Sequence, residues 1–319
     1  MKKNVIIYQT LTLLMLFVLF FEFVSCNSKI DKKSLIFRDY PNLKIGFSTQ
    51  NFQKAMPVNV ESLSEIIKYA SNEGYQFIEL RDNLANLTNA DCKILADVAM
   101  KNKIEVIYEI HKNLLDSGYI EVFNRGLVNT MLLPGPGIMR TLVSKSEFDY
   151  DATKKGWNRD ELTQLIKLSD SCTLIARGKN IQFVVENLNE SFFGDGKSYY
   201  GLADLLSGSP GVGLQLDISN PFRKSSREIA DPEKVIEYLS TLGNRWVISH
   251  LKTVPILGGE PQPYLTDNPL AIEKVVEMMG KQNVLYVALE LAPVADKQQC
   301  FDNHAKSIRF LIDRGVLKK

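Results

Sequence analysis

Phe183-Val184-Val185-Glu186, Leu214-Gln215-Leu216-Asp217, Trp246-Val247-Ile248-Ser249-His250 and Tyr286-Val287-Ala288-Leu289-Glu290 decide how this chain is read. Each run is short, apolar and rich in strand-forming residues, and each ends in a residue type that binds metal ions. Intervals of roughly 30 to 40 residues separate the four ends, enough for one helix and its loops between parallel strands. In a parallel (β/α) barrel the C-terminal ends of the strands converge on one mouth, so charges that close successive strands face one another. Three carboxylates and one imidazole, from Glu186, Asp217, Glu290 and His250, make a hard, mostly oxygen site. It suits one divalent ion, Mn²⁺ first, with Mg²⁺, Co²⁺ or Zn²⁺ as alternatives. A single acid at a strand end is ordinarily a loop-facing charge; four in phase point to a shared site.

Outward from these runs, short β-rich stretches alternate with longer amphipathic ones, the mark of a parallel sheet. The expected strands are 43–48, 77–80, 104–110, 130–133, 181–186, 212–217, 246–250 and 284–290. Helical periodicity fills 60–72, 89–102, 160–176, 232–242, 269–280 and 302–314. The order predicts an α/β chain folded as a (β/α)8 TIM barrel. A doubly wound open sheet is the competing architecture, but the first expected strand runs into Gly46-Phe47-Ser48-Thr49-Gln50 and not into a Gly-rich phosphate loop. Pro134-Gly135-Pro136-Gly137 opens a long connection that reads as a lid, a binding loop or a plain insertion. A Gly/Pro-rich segment, 254–264, follows His250 and should arch over the mouth.

The chain begins with Met1-Lys2-Lys3-Asn4, continues with an apolar run over 5–24 and reaches Ser25-Cys26-Asn27. A basic start, an apolar core and a small residue before cysteine resemble a bacterial lipoprotein signal, with Cys26 as the lipidation site. Glu22 in the run and Phe23 before the cysteine depart from that pattern, and a transmembrane anchor is the alternative. Either reading places the protein outside the cytoplasm on a membrane, with residues 1–26 as signal peptide, 27–41 as tether and 42–319 as a single barrel domain. Net charge is +1 and 9% of residues are aromatic, so no basic stripe for nucleic acid stands out. Cys92, Cys172 and Cys300 are widely spaced and form no disulfide framework. A homo-oligomer is compatible with this composition.

The four strand ends, with Glu186-Asn187-Leu188-Asn189, Asp217-Ile218-Ser219-Asn220 and His250-Leu251-Lys252, resemble the sugar phosphate isomerase/epimerase superfamily of xylose isomerase-like TIM barrels. Gly74-Tyr75-Gln76-Phe77-Ile78-Glu79-Leu80 resembles that family's second strand. The resemblance covers the chain from about Leu43 onward and is most specific in its second half. It implies metal ligation by Glu186, Asp217, His250 and Glu290, and a metal-stabilised enediolate formed from a keto-sugar. Glu186 and Glu290 would act as an acid/base pair on opposite faces of that substrate. Asn220 stands where some relatives carry a histidine, and Asn189 lies three residues past Glu186; both could hydrogen-bond sugar hydroxyls. Lys252, two residues past His250, points to the same side if the strand continues and could contact a substrate oxygen. Glu79 and His111 sit at ends of expected strands and could line the mouth. Each of these five also has a plain reading as a loop or solvated residue.

Three functions are compatible with these residues. The first is a sugar epimerase or isomerase. The second is a metal-dependent lyase, dehydratase or hydrolase acting on an oxidised sugar or glycoside. The third is an exported carbohydrate-binding protein without catalysis, against which the full ligand set speaks. With three histidines in all, His111, His250 and His304, the chain cannot build the histidine-rich cluster of the family's endonuclease IV branch. The expected partners are therefore a small carbohydrate and the membrane, with no nucleic acid.

Overall fold

The computed structural model describes residues 34–143, 159–187, 205, 207–224 and 229–319. The leader with Cys26, the segment 144–158 and Asn189 lie outside these. Eight parallel strands close into a barrel in chain order: β2 (Lys44–Ser48), β3 (Phe77–Arg81), β4 (Glu105–Asn113), β5 (Ile138–Leu142), β6 (Gln182–Glu186), β7 (Gly213–Asp217), β8 (Trp246–Leu251) and β9 (Tyr286–Leu289), which returns to β2. Ahead of them β1 (Ile36–Phe37) pairs antiparallel with β10 (Leu317–Lys318). This corrects the expected tether at its C-terminal end. Leu35 and Phe37 are fully buried, so the chain joins the barrel's core before residue 42.

The strands are wrapped by α1 (Val60–Glu73), α2 (Asn89–Asn102), α3 (Tyr119–Leu132), α4 (Arg159–Arg177), α5 (Pro232–Leu239), α6 (Ile272–Lys281) and α7 (Lys297–Asp313). Local chemistry sets their ends. Asn59 accepts from Ser62 N to start α1, and Gly74 closes it at φ 89°, a conformation that costs glycine little. Thr88 and Asp91 exchange bonds as a capping box at the start of α2. Leu63, Ile66, Ile67 and Ala70 of α1 recur at helical spacing and face the sheet.

Fourth in the barrel, β5 is Ile138–Leu142, and the expected strand at 130–133 is the last turn of α3 together with Leu133. Pro134-Gly135-Pro136-Gly137 thus leads into the strand and does not trail it. Val106 N donates to Pro134 O and Gln182 N to Gly137 O, both at 2.7 Å, so this run already spans the neighbouring strands. A Cβ on Gly135 would lie 2.6 Å from Val106 O, and Gly135 has φ 155°; both explain the glycine there. The long connection is shortened accordingly.

Alternation along the strands sorts side chains between the helices and the barrel interior. A plug of Phe77, Ile107, Ile138, Val184, Ile248, Tyr286 and Ala288 fills the lower interior. Gly46 leaves room for it, since a Cβ there would lie 2.3 Å from Phe77 O. Two residues further along each strand the interior turns polar: Ser48, Glu79, Glu109, Arg140, Glu186, Gln215 and His250 are all buried.

Outside the barrel, His304 of α7 is fully buried and stacks on Phe52 at 5.1 Å between ring centres. Asn51 Oδ1 accepts from Leu291 N at 2.8 Å, which turns Asn51 Nδ2 towards His304 Nε2 at 3.1 Å. Nε2 must therefore accept, and Nδ1, 3.2 Å from the Tyr75 hydroxyl, carries the proton. Burial pushes the imidazole down to about 3. Its folded pKa is depressed, so its contribution to stability is present above the unfolded value near 6.5 and is lost as pH falls towards 3. Each pH unit in that window costs about 1.4 kcal/mol. Urea unfolding at pH 6.5 and pH 5 should show the wild type losing roughly 2 kcal/mol more than His304→Gln; equal losses would mean that His304 takes up its proton without penalty.

Candidate metal centre

Glu186, Asp217 and His250 stand at the ends of β6, β7 and β8, and Glu290 follows β9 directly. All four are buried, and one ligand atom from each lies within 4.8 Å of the others. His250 Nδ1 is 3.0 Å from Glu186 Oε1 and 3.2 Å from Glu290 Oε2. Asp217 Oδ1 is taken up by the backbone N–H groups of Ser219 at 2.9 Å and Asn220 at 3.0 Å. Oδ2 is left to face the group.

The other nitrogen of His250 is equally well placed. Glu79 Oε2 lies 2.6 Å from Nε2, and the Gln215 side-chain amide lies against the same nitrogen, where its oxygen rather than its NH2 group would suit an Nε2–H. A proton held between Nε2 and Glu79 leaves Nδ1 with a lone pair towards the three carboxylates, the arrangement a ligating histidine needs. Burial alone would lower the pKa of His250; Glu79, Glu290 and Glu186 outweigh it and raise it well above the ordinary imidazole value. The cage therefore favours positive charge at this position.

Arg140, carried inward by β5, ties the site to the next carboxylate. Its Nη1 lies 2.8 Å from Glu186 Oε2, and its Nη2 pairs with Glu109. Arg81 also reaches Glu109 at 3.3 Å and contacts His111, whose imidazole is pushed down to about 3 by burial and then by Arg81 and Arg140. Lys252 spans Asp217 Oδ2 and Glu290 Oε2, at 2.5 Å from each. Burial pushes Glu290 up, but Lys252 and His250 hold it well below the usual carboxylate range. For Glu186, burial acts upward and is overcome by Arg140 and His250. Burial raises Asp217, and it pushes Glu109 up to about 7.

The residues fit a divalent cation on two counts. Five buried carboxylates, Glu79, Glu109, Glu186, Asp217 and Glu290, share the barrel interior with three buried cations, Arg81, Arg140 and Lys252. With all five ionised and His250 neutral, the state in which Nδ1 could ligate, the layer is two positive charges short; without an ion, protonation of His250 supplies one of them. In addition, His250 Nδ1, Asp217 Oδ2 and Glu290 Oε2 are buried without a hydrogen bond of normal geometry, Lys252 touching the two oxygens as an ion pair. Buried polar atoms in that condition are costly unless something else satisfies them.

Of the remaining residues singled out in the sequence, Asn220 is buried and donates to Asn187 O at 3.1 Å. Glu79 lies beneath His250, deeper than the mouth. His111 is half-buried within β4 beside Arg81. The loop 254–264 crosses from Phe222, through Gly258 N, to Ala292, which donates to Gln262 O. Sequence reasoning missed Arg140, Glu109, Arg81 and Gln215. The signal for three of them was a step of two along a strand: Arg81 from Glu79, Glu109 from His111 and Gln215 from Asp217.

No protein-family model matches this sequence, and no curated protein matches it. Solved structures match over most of their length. A sugar phosphate isomerase/epimerase from Parabacteroides distasonis is 13% identical, with a TM-score of 0.61 over 84% of this chain and 93% of that one. A D-allulose 3-epimerase from Methylomonas sp. in complex with D-allulose gives 13% identity and a TM-score of 0.63 over 88% and 100%. A xylose isomerase-like TIM barrel protein from Mycobacterium smegmatis in complex with magnesium gives 13% and 0.61 over 85% and 97%. The fold is thus that of the xylose isomerase-like TIM barrels.

If Glu79 orients His250, Glu79→Ala should weaken Mn²⁺ binding by about 10- to 100-fold, the usual cost of removing such a partner. Isothermal titration of the two proteins measures this. Unchanged affinity would take Glu79 out of that role.

Proposed function

We propose that this protein is a divalent-metal-dependent sugar isomerase or epimerase that acts on a keto-sugar or related carbohydrate, with Glu186 and Glu290 as its acid/base pair. The observation that carries this reading is the pairing of two buried glutamates about one histidine nitrogen, at the strand ends where such barrels do their chemistry. Likeness in fold to sugar epimerases and isomerases supports the substrate class.

A divalent ion held by Glu186, Asp217, His250 and Glu290 would supply a Lewis acid for the carbonyl and neighbouring hydroxyl of the sugar. Mn²⁺ suits a set of three carboxylates and one imidazole. Around it the chain's own residues divide the work. Arg140 holds Glu186 by one oxygen and keeps it ionised. Ahead of loading, Lys252 and His250 hold Glu290 in its ionised form, so both glutamates enter the loaded site as carboxylates that can accept a proton. Asn220 and Lys252, which stand beside Asp217, would meet sugar oxygens. The apolar plug beneath excludes water from the lower barrel. Five buried carboxylates against three cations and one divalent ion come to neutrality, which suits an uncharged sugar better than a phosphorylated one. The signal-like leader ending at Cys26 supports an exported, lipid-anchored protein, a setting in which free sugars are met more often than sugar phosphates.

Incubating the Mn²⁺-loaded protein in D₂O with a panel of free keto-sugars should place deuterium beside the carbonyl of at least one. Glu290→Gln should lower turnover by about 10² to 10⁴ while retaining sugar binding, and His250→Ala should lose metal and activity together. Full turnover by a metal-loaded Glu290→Gln protein would remove this residue from proton transfer. Sugar binding without any exchange would favour a carbohydrate-binding protein, and release of a leaving group would favour a lyase or hydrolase.

A further inference from the structure

We propose that Lys252 competes with the divalent ion for two of its four ligand atoms, so that loading the site requires displacement of an internal ammonium group. This rests on the metal-centre reading above.

Lys252 follows His250 by two residues and faces the same interior. It is 6% exposed. Its backbone is pinned, because its carbonyl accepts from Ser219 Oγ at 2.6 Å and from Asn268 Nδ2 at 2.9 Å. From that fixed point the side chain brings Nζ to 2.5 Å from both Asp217 Oδ2 and Glu290 Oε2. These are the oxygens an ion would use. Asp217 has no other to offer, since Oδ1 is committed to Ser219 N and Asn220 N. Glu290 Oε2 is the oxygen that faces His250 Nδ1.

Arg140 shows the contrast. It takes Glu186 Oε2 and leaves Oε1 turned to His250, so its guanidinium and an ion can use the same carboxylate at once. Lys252 takes the inward oxygens themselves. An ammonium and a dication on one carboxylate oxygen repel strongly in a buried setting, where screening is weak. The lysine stem is flexible enough to give way. Asn220 Oδ1, 3.4 Å from Nζ, is a neutral acceptor on the path of retreat. Displaced in this way, the ammonium would remain at the mouth, within reach of a sugar oxygen. Lys252 is thus assigned a positioning role that sets how tightly and how long the metal is held.

The test compares Lys252→Met and Lys252→Arg with the wild type, using Mn²⁺ alone as the probe and the resonance of free Mn²⁺ as the readout. Lys252→Met should bind Mn²⁺ at least tenfold more tightly, whereas Lys252→Arg, which keeps the competing charge, should stay within a few fold of the wild type. Because Lys252→Met leaves Asp217 and Glu290 without their cation, it should be prepared with Mn²⁺ present and its loss of metal to excess chelator followed; loss should be at least tenfold slower than from the wild type. Equal or weaker binding by Lys252→Met, equal or faster loss, or tightening by Lys252→Arg to the same degree would overturn the proposal. Failure of all three proteins to bind Mn²⁺ would overturn the metal-centre reading along with it.

Discussion

Five carboxylates buried together inside one barrel are the constraint on which the rest of this structure depends. Taking a single carboxylate out of water is expensive, and each added neighbour of the same sign raises the cost. The fold answers with fixed cations. Arg140 bridges Glu109 and Glu186, Arg81 adds to Glu109, and Lys252 bridges Asp217 and Glu290. Removing one partner from a buried pair of this kind typically costs about 3 to 5 kcal/mol, because the other is left uncompensated. So many interior acids cost the fold stability, and the fixed cations beside them only offset that cost.

Backbone geometry makes the arrangement reachable. Parallel strands present alternate residues inward, so a step of two along a strand moves from the apolar plug to the polar layer and then to the mouth. Phe77, Glu79 and Arg81 trace that climb on β3, as do Ile248, His250 and Lys252 on the opposite side. Charges from strands far apart in sequence are brought to bonding distance: Glu79 and His250 are 2.6 Å apart although 171 positions separate them. Backbone groups finish the work, with Asn187 holding Asp217 by its N–H and carbonyl and so fixing the direction of its side chain.

Much of this was legible in the chain because the information is local. A β-rich run that ends in Glu, Asp or His states both the strand and the position of a candidate ligand, and four such runs at similar intervals state the barrel. The fourth strand was not legible. Its centre carries Arg140, which breaks the apolar pattern expected of a buried strand, and its lead-in consists of prolines and glycines that read as a loop. The apolar end of α3, just before it, offered a more conventional strand. Burial of arginine becomes intelligible only once Glu109 and Glu186 are seen on the strands to either side, and no sequence interval announces the register that brings them together. Lys252 and Glu79 were visible as polar residues near strand ends. Their partners, and hence their depth, depend on the closed geometry.

The most direct measurement is diffraction from crystals grown with Mn²⁺, with anomalous data collected at the manganese edge. Convergence of the four strand ends on one ion predicts a single interior peak lying about 2.0 to 2.4 Å from His250 Nδ1 and from one oxygen each of Glu186, Asp217 and Glu290. No peak in the barrel, or a peak held by other residues while Glu186, Asp217 and Glu290 remain paired with Arg140 and Lys252, would contradict it.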